Sequence, residues 1–274
     1  LMDASDIAAA VTLGGLLVTE AVAPFFIEQR RDWRRLLRHD LRNLAIGGLN
    51  ALCFSSLFAA AVLVLEYEVS MRGYGLLWLL DLPNQGRLAV GVVLFDLWMY
   101  WWHRMNHAVP FLWRFHRMHH SDPAMDASSA VRFHPGEIFL SGLARLIVLP
   151  LIGMPLMVLL VYEAILLPVI LFHHANIRLP RWLDFGLFRA GLLVTPAMHR
   201  VHHSRVREET NSNYGSVLPL WDRLFGSLRV RRDVDQIALG LDDFADERNQ
   251  TLNGMLTTPL ANPKDHTDPR SFSS

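Results

Sequence analysis

Apolar residues in this chain come in long clumps rather than in short alternations. Residues 7–27 carry one charge, Glu20, and residues 43–65 carry none. Each stretch is long enough to cross a bilayer core, which takes about 20 residues of helix. Residues 88–102 form a shorter apolar run that carries Asp96 and leads directly into His103. Residues 138–172 are too many for one crossing and predict a helical hairpin, with Pro150, Gly153 and Pro155 at its turn. The pattern as a whole predicts an all-α, multi-pass membrane bundle of about three crossings plus the hairpin. It divides the chain into N-terminal transmembrane helices with a basic link over residues 1–87, a catalytic region over 88–230, and a polar tail over 231–274.

Charge orients this bundle. Arg30, Arg31, Arg34, Arg35, Arg38 and Arg42 crowd the link between the first two apolar stretches, and the positive-inside rule places such a link in the cytoplasm. The first crossing then runs inward, the second outward, and the third inward again to end at Trp101, Trp102 and His103, with residues 74–80 resting at the outer interface. The hairpin dips into the membrane and returns, so every histidine-rich segment falls on the cytoplasmic face. The membrane is then a bacterial inner membrane, or the endoplasmic reticulum in a eukaryote. Lys plus Arg and Asp plus Glu balance at 26 each, so no basic field argues for nucleic acid. The first stretch follows Asp3 and Asp6 and precedes the arginines, which reads as an anchor rather than a signal peptide. The absence of methionine at position 1 points to a trimmed chain. Residues 251–274 are polar, hold three prolines and read as disordered. His39, among the arginines, and His266, in the tail, read as solvated.

Composition makes histidine the residue to explain. Hydrophobic residues make up 51% and charged residues 19%, and the single cysteine, Cys53, lies in an apolar stretch, so neither a disulfide framework nor a thiolate metal site is available. Eleven of the thirteen histidines lie between His103 and His203. His103 and His107 form H-x-x-x-H. His116, His119 and His120 form H-x-x-H-H, and His199, His202 and His203 repeat it. His173 and His174 are adjacent. Spacings of three and four share a helix face, so each cluster is expected to present two or three imidazoles to one point. Neutral imidazole suits zinc, iron, copper or nickel. Nine or ten such ligands are too many for one ion and about right for two. The chain has no E-x-x-H of carboxylate-bridged di-iron bundles and no H-E-x-x-H of zinc proteases.

The ordered segments DLWMYWWHRMNHAVPFLWRFHRMHHSDP, RFHPGE, HHANIRLP and TPAMHRVHHSRVREETNSNYGSVLPLWDRLFGS resemble the fatty acid hydroxylase and sterol desaturase superfamily across about Phe95 to Leu228. The resemblance implies an integral membrane enzyme that uses a histidine-bound di-iron centre, dioxygen and two electrons to hydroxylate or desaturate an unreactive lipid carbon. It implies as metal ligands His103, His107, His116, His119, His120, His174, His199, His202 and His203, making nine, or ten if His173 also binds. Asp96, seven residues before His103, is expected to accept a hydrogen bond from a ligand's second ring nitrogen, or else to face other helices. Asp122 is expected to do the same, or else to start the turn at Pro123. His134 and Glu137, in a family-like R-x-H-P-x-E, are expected behind the ligands rather than on the metal. Glu163 is expected to pair with Arg145 across the hairpin, or else to line the substrate path. Asn213, Tyr214, Trp221, Asp222, Phe225 and Gly226 match the family's closing segment and are expected to pack beneath the site.

The expected function is therefore iron-dependent lipid oxidation, with zinc possible in a purified form and dioxygen as co-substrate. The partners are the bilayer, the lipid substrate, and a separate donor such as a ferredoxin or small cytochrome with its reductase, since the chain has no flavin, haem or iron–sulfur signature. Two rivals remain at this stage: a zinc-dependent lipid hydrolase or isomerase on the same scaffold, and a metal- or haem-binding membrane carrier.

Overall fold

The computed structural model describes residues 4–22 and 32–262, and the elements among them are helices apart from one isolated bridge between Ser204 and Leu239. Helix α1 spans Ala4–Val22. Helix α2 (Trp33–Leu57) starts where the Asp32 carboxylate accepts hydrogen bonds from the Arg34 and Arg35 amides, satisfying donors that a helix start leaves open. Arg34, Arg35, Arg38 and Arg42 therefore ride on the first turns of a helix instead of forming a link. Arg30 and Arg31 lie outside the described residues.

The second apolar stretch does not run straight. It breaks at Phe58, and α3 (Ala59–Arg72) continues after a bend of 52°. Gly142 accommodates the break, because a Cβ there would lie 2.7 Å from the Phe58 ring. A short α4 (Leu76–Leu79) leads to α5 (Asn84–Ala108), a 25-residue helix whose last two turns carry His103 and His107. Val109 is extended and Pro110 opens α6 (Pro110–His120), since proline's missing N–H costs nothing at a first helical position.

The hairpin forms where the pattern predicts it, as α7 (Pro135–Ile152) and α8 (Leu156–His174). Gly153 sits at its turn with φ 73°, and a Cβ would lie 2.4 Å from the Tyr74 carbonyl oxygen, so both conformation and space call for glycine. The arms take different neighbours: α7 packs on α2 and α3, whereas α8 packs on α1 and α5. Phe95, Leu149, Met154, Val158, Tyr162 and Leu166 form the core that joins them. Among the described residues, α7 and α8 are long and apolar enough to cross a membrane, and the bent α2–α3 pair makes a third if it counts as one span. The apolar part of α1, Val11–Glu20, falls short of a crossing, and α5 does not meet the same test.

Shorter helices close the structure: α9 (Arg181–Arg189), α10 (Pro196–His202), α11 (Arg207–Thr210), α12 (Leu220–Leu224) and α13 (Leu252–Thr257). The expectation of a disordered tail fails as far as residue 262. Met255 is buried with Ile46 and Met118, and the Arg117 guanidinium donates to the carbonyls of Thr258 and Ala261, both at 2.6 Å. A buried guanidinium needs acceptors, and this segment supplies them. Residues 263–274 lie outside the described residues.

Candidate metal centre

Nine histidines on four helices converge in two groups. His103, His107, His116, His120 and His202 place one ring nitrogen each within 4.8 Å of one another, and so do His119, His174, His199 and His203. Each H-x-x-H-H motif is split between the groups. His116 and His120 face the first while His119 faces the second; His199 and His203 face the second while His202 faces the first. At about 100° per residue, positions i and i+4 lie about 40° apart, whereas adjacent residues point about 100° apart. Three rings of one motif therefore cannot aim at one point: of the two or three imidazoles expected there, each H-x-x-H-H supplies two and turns its third to the other group.

The outward nitrogens of four of the five rings of the first group face the protein; that of His120 has no partner among the described residues. Nδ1 of His103 donates to the Tyr214 carbonyl at 2.9 Å, that of His116 to Glu137 Oε1 at 2.8 Å, and that of His202 to the Ser212 carbonyl at 2.6 Å. Nδ1 of His107 lies 3.3 Å from Asn211 Oδ1. Placing the proton on Nδ1 leaves an Nε2 lone pair turned inward, the arrangement that metal-binding histidines adopt. His174 does the same in the second group, donating from Nδ1 to the Ile170 carbonyl at 2.7 Å. Its Nε2 then lies 3.1 Å from Nε2 of His119 and 3.1 Å from Nε2 of His199, which is itself 3.1 Å from Nε2 of His203. One lone pair cannot accept from two donors, so protons do not satisfy this set. A shared cation with metal–nitrogen bonds of about 2.0–2.1 Å would. Nε2 of His107 and His202 has no partner among the described residues. Burial, followed by neighbouring imidazoles, holds the rings of His119, His120, His199, His202 and His203 well below their ordinary pKa, so these side chains are neutral at pH 7.

The remaining predicted residues are placed as follows. His173 is buried and its ring lies 4.0 Å, centroid to centroid, from that of His199, but it belongs to neither group. Glu137 stands behind His116 and also accepts from Asn106 at 3.4 Å. Asp96 meets no ligand ring; it accepts from the Tyr162 hydroxyl at 2.9 Å, the Trp221 indole at 2.8 Å and the Leu218 amide at 3.2 Å. Seven residues put it about 10 Å along α5 from His103, too far for an imidazole's second nitrogen. Asp122 also turns away, accepting from His39 Nε2 at 2.9 Å and Ser129 Oγ at 2.6 Å. His134 caps α7 by accepting from the Gly136 amide, while its Nε2 donates to the Leu256 carbonyl. His39 is therefore not solvated; it joins α2 to Asp122, and its other nitrogen faces Asp40 at 3.0 Å and Asp126 at 3.2 Å.

Further supports lie after α10, in the segment expected to pack beneath the site. Asn213 adopts φ 54°, a left-handed conformation that asparagine tolerates. Its Nδ2 donates to the carbonyls of Met198 and Arg229, which fixes the turn whose Ser212 carbonyl holds His202. Asp222 accepts from the amides of Tyr214 at 2.7 Å and Gly215 at 2.9 Å, which fixes the carbonyl that holds His103.

A cavity of about 300 Å³ opens beside both groups. His119, His174 and His199 line one end; Met99, Trp102 and Ile170 give it an apolar wall.

Fold and site together define a helical protein with a polyhistidine centre set against apolar helices. The fatty acid hydroxylase model matches residues 88–227, about half of the chain, and the chain belongs to that family. It is 31% identical over 205 residues to the ornithine lipid hydroxylase OlsE of Rhizobium tropici, covering 73% of this chain and 59% of that protein. It is 29% identical over 227 residues to human alkylglycerol monooxygenase, covering 80% and 46%, and 27% identical over 140 residues to human cholesterol 25-hydroxylase, covering 51% and 50%. The chain thus spans about half the length of these relatives. No solved structure matches it significantly.

Proposed function

We propose that this protein is a membrane-bound lipid oxygenase that hydroxylates or desaturates an unreactive carbon. The observation that carries this reading is the convergence of nine imidazoles in two groups beside a largely apolar cavity. The donor set fits two borderline-soft cations, because it is all imidazole, the inward nitrogens of His107 and His202 lack a hydrogen-bond partner among the described residues, and the outward nitrogens of His103, His116 and His202 are oriented. His103, His107, His116, His120 and His202 would hold one ion, and His119, His174, His199 and His203 the other. Two iron ions would supply dioxygen activation, with electrons from a separate carrier. The chain's own part is to bind, orient and exclude water. Met99, Trp102 and Ile170 hold an apolar substrate body, while Glu137 and the Tyr214 and Ser212 carbonyls keep three rings in one tautomer. We further propose the multi-pass topology with the histidines on the cytoplasmic face, supported by the arginines at the start of α2 and by His174 ending α8.

The deciding experiment is lipid mass spectrometry of membranes incubated with the reduced, iron-loaded protein. A gain of 16 or a loss of 2 mass units is expected with dioxygen and not without it; product formed anaerobically would overturn the oxygenase reading in favour of a hydrolase or isomerase. Two further outcomes are expected. Glu137→Ala should lower metal affinity about 10–100-fold, as losing an outer partner of a ligand histidine does; competition against a chelator followed by metal analysis checks it. Metal content should hold as pH drops through the ordinary histidine range and fall only in stronger acid, since burial keeps these rings well below their ordinary pKa and protons compete for their lone pairs only there; loss of metal already between about pH 7 and 6 would contradict ligation by these buried rings.

A further inference from the structure

The cavity does not end in hydrocarbon. Arg145 on α7 and Glu163 on α8 also line it, and they pair at 2.5 Å across the gap between the hairpin arms. Both sit in the midst of apolar helices, where an ionisable residue is expensive and by default functional. Their side chains keep 17% and 35% exposure, so the pair is open to the cavity rather than sealed in packing. Arg145 lies over the rings of Phe54 and Phe95, which holds the guanidinium in place. Along α7 it stands eight residues, about 12 Å, from Glu137, and along α8 Glu163 stands eleven residues, about 16 Å, from His174.

We infer that the Arg145–Glu163 pair is a recognition site for a neutral hydrogen-bonding group, a hydroxyl or an amide, on a lipid whose apolar body spans about 12–16 Å from that group to the reacting carbon. The inference rests on the lipid-oxidising reading of the same site. An intact ion pair presents guanidinium donors beside a carboxylate acceptor, so it matches a group that both gives and takes a hydrogen bond. A carboxylate ligand would have to displace Glu163, and an ammonium would have to displace Arg145. Either leaves a charge without its partner between apolar helices. An alkane meets the pair with no compensation for desolvating it. Distance and polarity together then select both the lipid class and the carbon presented to the histidines.

The test uses the full chain in nanodiscs without metal, so that it does not depend on oxidation. Octadecanol, octadecane and octadecanoic acid are offered at equal concentration, and the bound amount of each is measured by mass spectrometry. Octadecanol should be retained about ten-fold over both others, the scale of one charge-assisted hydrogen bond. Single substitutions leave a lone charge and threaten folding, so the diagnostic protein is Arg145→Met with Glu163→Leu, since apolar replacement of a whole pair is tolerated. Its alcohol preference should fall to near one, with iron uptake on reconstitution unchanged. Equal retention of alcohol and alkane by the wild type, a preference for the acid, or a preference that survives the double substitution would each overturn the inference. Failure of dioxygen-dependent product formation would instead overturn the oxygenase reading.

Discussion

His119→Ala should leave a protein that inserts into membranes and carries no measurable oxygenase activity. His119 approaches His174 at 3.1 Å, and its group has four rings, so its loss leaves three. The expected decrease exceeds the about 10–100-fold typical of an outer partner, and bound metal should fall below that of the wild type. His173→Ala is the matching control, because that ring lies outside both groups; it should keep the wild-type metal content. Metal analysis of the two proteins together separates nine ligands from ten. Activity retained by His119→Ala would contradict the assignment.

The largest effect on stability is expected at Arg132. Its guanidinium is 1% exposed and donates to the Met118 carbonyl, Asn43 Oδ1, Ser121 Oγ and Gln250 Oε1, the last at 2.7 Å. These contacts bind the loop before α7 to the end of α6, to α2 and to the C-terminal segment. Arg132 is also a positive neighbour of Asp122; burial pushes that carboxyl up, but His39 and Arg132 overcome it and hold it well below the ordinary range. Arg132→Ala removes four buried hydrogen bonds and one of the two positive neighbours that hold Asp122 ionised, leaving His39, which costs about 3–5 kcal/mol. Arg132→Lys keeps the charge but not the fork, and should lie between alanine and wild type. Thermal melting in detergent measures the order, and an alanine variant melting with the wild type would refute it.

The main histidine clusters were legible because ligand spacing is written directly in the chain, and so was the Arg145–Glu163 pairing, because two opposite charges in otherwise apolar arms have few other choices. The division of rings between two groups was legible only in principle, since it needs the helical angle between His119 and His120 rather than their spacing. Asp96 and Asp122 take the second of the two roles open to each, Asp96 facing other helices and Asp122 starting the turn at Pro123 by accepting from the Ala124 amide, because proximity in sequence to a histidine says nothing of depth along a helix or of the direction a turn takes. The outer partners were mostly invisible for a different reason. Tyr214, Ser212 and Ile170 act through backbone carbonyls, which every residue possesses. His39 reads as solvated and the segment after Thr251 as disordered because their buried partners, Asp122 and Arg117, lie 83 and 141 residues away along the chain.

The splitting of each H-x-x-H-H motif between the two groups has a consequence for how the protein could be built and broken. Helices α6 and α10 each give two rings to one group and one to the other, in opposite senses, so they are interleaved like two hands with locked fingers. Neither half can be emptied by moving one helix alone. Two residues inserted between Arg117 and Met118 would turn the last two rings by about 200° and leave His116 where it was, depriving both halves at once. Loading is then expected as a joint event, with a species carrying half the metal scarce at every stage of a titration.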